Sequence, residues 1–130
     1  VLRKKPLVFL HWYHHILTLL HCFYTYPVTP AYNRWGAYLN FAVHSSMYCY
    51  YFVRSIGIKV PGKIAKAITT GQIIQFVLSI IVLASVGVDQ YVLGYGDCTF
   101  DGGAFWFAFA MDLTYLGLFI NFFKQAYIVK

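Results

Sequence analysis

The chain has 130 residues, of which 60% are hydrophobic, 21% aromatic and only 11% charged. That balance excludes both a water-soluble core of ordinary proportions and a disordered chain. The formal net charge of +6 would suggest nucleic acid in a soluble protein, but here the basic residues gather at the ends of apolar stretches, so no nucleic-acid partner is expected and the lipid bilayer is.

Four apolar stretches, 7–26, 35–56, 65–87 and 104–128, each approach the ~20 residues that a helix needs to cross the hydrocarbon core. The strand-like alternation of a membrane barrel is missing from them, so the expected fold is all-α: a multi-pass transmembrane bundle of about four helices in a single domain over 1–130. The first stretch follows Arg3, Lys4 and Lys5, the flank of a signal peptide. Its core carries His11, His14, His15 and His21 without a small-residue cleavage pattern, which argues for a loop entering the membrane instead. Because the chain begins with Val, it is expected to be a piece of something longer. Pro27 and Pro30 end the first helix in a short turn. Gly57 and Val60-Pro61-Gly62 punctuate the basic loop before the third, and Gly94, Gly96, Gly102 and Gly103 mark the loop before the fourth.

Arg54, Lys59, Lys63 and Lys66 fall on the same side of a four-span arrangement as the basic start and as Lys124 and Lys130, whereas the opposite side carries Arg34, Asp89, Asp97 and Asp101. By the positive-inside rule both ends face the cytosol. Cys22 and Cys49 lie within spans as packed thiols, and Cys98 falls in the non-cytosolic loop, where disulfides form. Asp112, well inside the fourth span, calls for a partner on another helix, a proton, or a place nearer the loop.

Polar side chains within spans are costly and face the bundle interior or a water-filled cavity. His11, His14 and His15 stand at i, i+3 and i+4 near the basic end of the first helix. Asn40, His44, Tyr48 and Tyr51 form a stripe on the second that ends near Arg54, and Thr69, Gln72 and Gln75 follow at threes on the third. The three stripes are expected to converge on one polar pocket. Gln75 or Asn40 alone could be interhelical glue. Packing gives no reason for three histidines in five residues.

Taken in order, His11-Trp12-Tyr13-His14-His15, then His44-Ser45-Ser46-Met47-Tyr48-Cys49-Tyr50-Tyr51, then Thr69-Thr70-Gly71-Gln72-Ile73-Ile74-Gln75 resemble the very-long-chain fatty-acid elongase family, with its HxxHH, HxxMYxYY and TxxQxxQ patterns. The resemblance covers nearly the whole chain. Leu2-Arg3-Lys4-Lys5 and Phe9-Leu10 look like the family's approach to its histidine box, and Trp12-Tyr13 is similar to members acting on saturated or monounsaturated chains. The family has seven membrane helices, so this chain would correspond to the last four; the upstream KxxExxDT motif and a C-terminal dilysine are not in it.

The resemblance implies an acyltransferase of the endoplasmic reticulum membrane that condenses a long-chain acyl-CoA with malonyl-CoA, giving 3-oxoacyl-CoA, carbon dioxide and CoA. A neutral imidazole attacks a thioester to give a reactive acyl-imidazole, which splits the reaction into acylation and condensation. His14 would be the nucleophile and His44 the group that stabilises the oxyanion or exchanges protons, with His11 and His15 orienting. Asn40 and Gln72 would bond carbonyl oxygens, with Met47, Tyr48, Tyr51, Thr69 and Gln75 completing the substrate site. Arg54, Lys63 and Lys66 would meet CoA phosphates. No metal or other cofactor is implied, and partners would be the CoA substrates, other elongation-cycle enzymes or a second copy. Two rivals share histidine chemistry. A di-iron desaturase or hydroxylase needs more histidine boxes than the one here, and a bis-histidine haem protein would use His14 and His44 as axial ligands.

Overall fold

A computed structural model describes residues 9–94 and 99–129, and within them the chain is helix and connection without strand. Helix α1 runs Phe9–Thr25, α2 Asn33–Ser55, α3 Gly62–Val88 and α4 Gly102–Tyr127. Arg3, Lys4, Lys5, Gly96, Asp97, Cys98 and Lys130 lie outside the described residues.

Helices α2, α3 and α4 begin two or three residues earlier than their apolar stretches do, and of these three starts only that of α4 carries a side-chain cap. Pro61, with φ of −56°, precedes the first turn of α3, and the Asp101 carboxylate accepts the Ala104 N–H at 2.6 Å to open α4. Ends are equally local. The Thr25 hydroxyl donates to the His21 carbonyl at 2.8 Å, and the Thr29 N–H reaches back to Thr25 at 2.8 Å from a left-handed residue, φ +41°. Gly57 at φ +89° closes α2. Helix α3 passes without a break into a π-helical turn, Asp89–Leu93, which Gly94 stops at φ +68°.

Spatial order departs from chain order. Helix α3 packs on both α2 and α4, and α4 packs on α1, while the backbones of α1 and α2 stay apart. The bundle is therefore an arc, α2-α3-α4-α1, whose first and last members are joined by the short turn at 26–32. At the acidic end Tyr32, Leu83, Phe105 and Ala108 form one buried cluster; deeper in, Phe76, Met111, Tyr115 and Phe119 form another. Gly87 permits the first: a Cβ there would come to 3.0 Å of the Phe105 ring. The Tyr32 hydroxyl, donating to the Asp101 carbonyl at 3.4 Å, ties the turn before α2 to the start of α4. Burial, with the Asp101 charge nearby, pushes its phenol up to about 12, so it remains a donor.

Gly62–Leu93 and α4 are long and apolar enough to cross a membrane by themselves. Twenty-seven residues of α3 extend roughly 40 Å at ~1.5 Å per residue, more than the ~30 Å hydrocarbon core. Helix α2 has the length, 23 residues, but carries more polar groups, and of these Asn40 and His44 line cavities. Phe41, Phe52, Leu19 and Phe23 are exposed, as lipid-facing side chains are. The architecture is thus an all-α, multi-pass membrane bundle.

Asp112 is buried within α4, and its partner is the Ser79 hydroxyl of α3, which donates to Oδ2 at 2.5 Å. Of the alternatives open from the sequence, a partner on another helix is the one present. Ser79→Ala is expected to lower stability by about 1–3 kcal/mol, because it leaves a buried carboxyl without its donor. Thermal unfolding in one detergent, compared with Ser85→Ala on the exposed face, measures the difference.

Candidate active site

The alternating directions of the helices bring the start of α1, the end of α2, the start of α3 and the end of α4 to one end of the arc. There they enclose a cavity of about 470 Å³. Ten of the residues singled out from the sequence line it: His11, His14 and His15 from α1; His44, Met47, Tyr51 and Arg54 from α2; Thr69, Gln72 and Gln75 from α3. A second cavity, about 320 Å³, occupies the other half of the arc, between the end of α1, the start of α2 and the middles of α3 and α4. His14, Gln75 and Phe76 line both cavities. His14 thus stands where the two spaces meet.

Four expected residues lie elsewhere. The Asn40 side chain lines the second cavity. Tyr48 is 58% exposed, and Lys63 and Lys66 are exposed in the first turns of α3, outside the cavity. Lys66 rests over the Phe123 ring of α4, 5.5 Å from its centroid. At about 100° per residue Tyr48 stands farthest round α2 from Asn40 and leaves the shared face, whereas Asn40 shares the face of Tyr51 but lies farther along the axis, beside the second cavity.

The histidines are not equivalent. His14 is buried at 7% exposure, whereas His11 and His15 are exposed and their rings lie 4.5 Å apart. His14 and His44 rings are nearly parallel, 20° apart in plane and 6.1 Å between centroids. His44 Nδ1 is 3.0 Å from the Asn40 backbone carbonyl. Since a carbonyl only accepts, Nδ1 carries the hydrogen, and in the neutral ring Nε2 presents a lone pair. The main chain of Asn40 therefore selects the His44 tautomer. Among the described residues, no group of three or more His, Cys, Asp or Glu is arranged to hold a metal ion.

Several lining residues were not singled out for the site from the sequence, although Tyr50 belongs to the HxxMYxYY pattern. Tyr50 accepts from Arg54 Nη1 at 3.2 Å and sits under its guanidinium at 5.8 Å; the i, i+4 spacing from Arg54 was the available signal. Phe119, Phe122 and Tyr127 bring α4 to the cavity wall, but aromatic residues there look no different from core. Thr69 donates to the Ala65 carbonyl at 3.1 Å and shares a 3.4 Å hydrogen bond with the Tyr127 hydroxyl. Gln72 donates its amide to Met47 Sδ at 3.6 Å, linking α3 to α2.

The family model of ELO, described as the GNS1/SUR4 family, matches residues 1–130. Long chain fatty acid elongase 1 of Caenorhabditis elegans is 54% identical over 130 residues, which cover 100% of this chain and 45% of that protein. Long chain fatty acid elongase 2 of the same organism is 42% identical, with 100% of this chain and 47% of the relative covered. Very long chain fatty acid elongase 6 of Homo sapiens is 38% identical over 134 residues, again with 100% of this chain and 48% of the relative covered. The chain spans about half the length of the curated relatives it matches. No solved structure matches it. With a family model matched from first residue to last, and relatives that align over its whole length, the chain belongs to the ELO (GNS1/SUR4) family.

Proposed function

We propose that this chain supplies the reaction chamber of a fatty-acid elongase, a 3-oxoacyl-CoA synthase that joins a long-chain acyl-CoA to malonyl-CoA. The observation that carries the reading is His14: buried, beside His44, and lining both cavities. A thioester needs its CoA on one side of the nucleophile and its chain on the other. The basic end supplies the first, with Arg54 in the cavity and Lys63 and Lys66 on the rim as partners for phosphate. The second cavity, walled by residues such as Phe76, Leu83 and Met111, suits an acyl chain.

In the first half-reaction a ring nitrogen of His14 adds to the thioester carbonyl and the carbon–sulfur bond breaks. The proton on the other ring nitrogen passes through His44 Nε2 to the leaving thiolate, so CoA departs as the thiol. Malonyl-CoA then loses carbon dioxide, and the electron pair left at C2 attacks the acyl-imidazole carbonyl. The carbon–nitrogen bond breaks, His14 takes up a proton, and 3-oxoacyl-CoA leaves, two carbons longer. Gln72 and Gln75 serve as amide donors to carbonyl oxygens, His11 and His15 flank the nucleophile, and Thr69, Met47 and Tyr51 shape the chamber. Asn40 acts on the second cavity, and Tyr48 outside it. The reaction needs no metal or redox cofactor. The chamber opens to the cytosol from the endoplasmic reticulum membrane, where enzymes that reduce and dehydrate the product, or a second copy, are the natural neighbours.

One experiment tests reaction and orientation together. Sealed microsomes bearing the complete parent protein receive acyl-CoA and labelled malonyl-CoA, neither of which crosses the bilayer. The expected product is labelled 3-oxoacyl-CoA, formed without opening the vesicles and unaffected by chelators. Absence of product after opening would overturn the reaction, and product only after opening would invert the orientation. Loss of activity on chelation, with stoichiometric iron or zinc in the protein, would favour a metalloenzyme.

A further inference from the structure

Among the described residues the backbone of α1 approaches that of α4 alone and stays clear of α2 and α3, which only its side chains reach, His14 to Phe76 and to His44 at 6.1 Å each. The placement of His14 opposite His44 and Gln75 therefore depends chiefly on how α4 holds α1. At that contact lies Tyr115, 1% exposed and among the largest fully buried side chains. Its hydroxyl donates to the His14 carbonyl at 2.8 Å and shares a 3.1 Å hydrogen bond with the Thr18 hydroxyl. Its ring lies 4.5 Å from the His14 imidazole, centroid to centroid.

The local chemistry makes this more than packing. A threonine inside a helix ordinarily donates back to the carbonyl four residues earlier, and for Thr18 that carbonyl belongs to His14. Here the phenol occupies that carbonyl and Thr18 pairs with the phenol instead. Around it Leu10 and Leu17 pack on the apolar cluster, and His21 meets the Phe107 ring at 5.4 Å with no hydrogen bond across the contact; such packing is non-directional. The other hydroxyl contact across it, Tyr13 to Thr114 at 3.3 Å, is exposed. Phe76 of α3 backs the Tyr115 ring at 5.5 Å.

We propose that Tyr115 is a positioning residue for His14. The phenol fixes the height and rotation of α1 at the nucleophile's own carbonyl, and the ring fixes the imidazole plane, so that the reactive nitrogen faces the chamber shared with His44. The catalytic consequence rests on the acyl-histidine reading above; the geometric content does not.

Tyr115→Phe keeps the ring and deletes the hydroxyl. It leaves no orphan, because the His14 carbonyl retains its helical N–H partner and Thr18 regains its own back-bond. In the complete membrane-embedded protein the first measurement is carbethoxylation of individual histidines by diethyl pyrocarbonate, mapped by mass spectrometry. The His14 rate is expected to change severalfold relative to His11 and His15 in the same sample. This readout needs no turnover, so it stands or falls separately from the proposed reaction. The second measurement is single-turnover CoA release per folded molecule. It is expected to fall about tenfold to a hundredfold with KM held within about twofold, since small misplacement of a nucleophile costs rate rather than binding. Thr18→Val removes the phenol's second partner without touching the core ring, and is expected to shift both readouts the same way by less. If Tyr115→Phe fails to fold, Thr18→Val carries the test alone. Unchanged relative labelling of His14 overturns the proposal. So does a loss confined to the amount of folded protein.

Discussion

His14→Ala is expected to abolish both half-reactions: no CoA released from acyl-CoA alone, and no condensation when malonyl-CoA is added. In the parent, acyl-CoA without malonyl-CoA should release CoA and leave a labile acyl group on the protein, the signature of a ping-pong sequence. The expectation follows from position as much as from residue type. His14 is the buried member of the histidine cluster and the one that lines both cavities, so a thioester threaded between them presents its carbonyl there. His11 and His15 face the outer chamber alone. Mass spectrometry of the trapped protein decides the site. An adduct on Cys22, which lines the second cavity, or acylation undiminished in His14→Ala, would remove His14 from the role.

His44→Ala should reduce turnover by about 10²–10⁴, the usual worth of a positioned acid–base group, while leaving slow acylation detectable in a single turnover. The reason lies in its tautomer. With Nδ1–H engaged by the Asn40 carbonyl at 3.0 Å, the neutral form of the ring offers an acceptor at Nε2, fit for taking a proton from His14. Within the proposed reaction this favours proton exchange as the first act of His44. A small thiol leaving group of low pKa needs less proton delivery than CoA does, so acyl thioesters of such thiols should lose less rate than acyl-CoA in the same variant. Turnover within about tenfold of the parent would contradict an acid–base role of this size, and equal losses for both leaving groups would contradict proton exchange.

Much of this molecule was legible in its amino-acid order. Long apolar stretches with no alternation dictate helices in a bilayer, and helical spacing puts His11, His14 and His15, or Thr69, Gln72 and Gln75, on shared faces that must avoid lipid. That was enough to foresee a common pocket, and ten of the residues singled out do line one. The outliers show where one-dimensional reasoning stops. Asn40 and His44 stand four apart on one helix, yet the Asn40 side chain enters one cavity and the His44 ring the other, because the division between them falls between those two turns.

What the sequence by itself determined is the set of helices, their alternating directions and the polar faces they cannot give to lipid, since hydrophobic length and periodicity are properties of each segment alone. The tertiary structure decided the rest. The arc α2-α3-α4-α1 leaves consecutive helices α1 and α2 on opposite sides of a chamber, and separates that chamber from a second at His14, Gln75 and Phe76. It also pairs Asp112 with Ser79 and gives Tyr115, an aromatic residue with no sequence signal of its own, the carbonyl of His14. Such assignments depend on which faces meet, and between helices in lipid that is settled by close packing and hydrogen bonds across segments far apart in the chain, not by the hydrophobicity each segment carries.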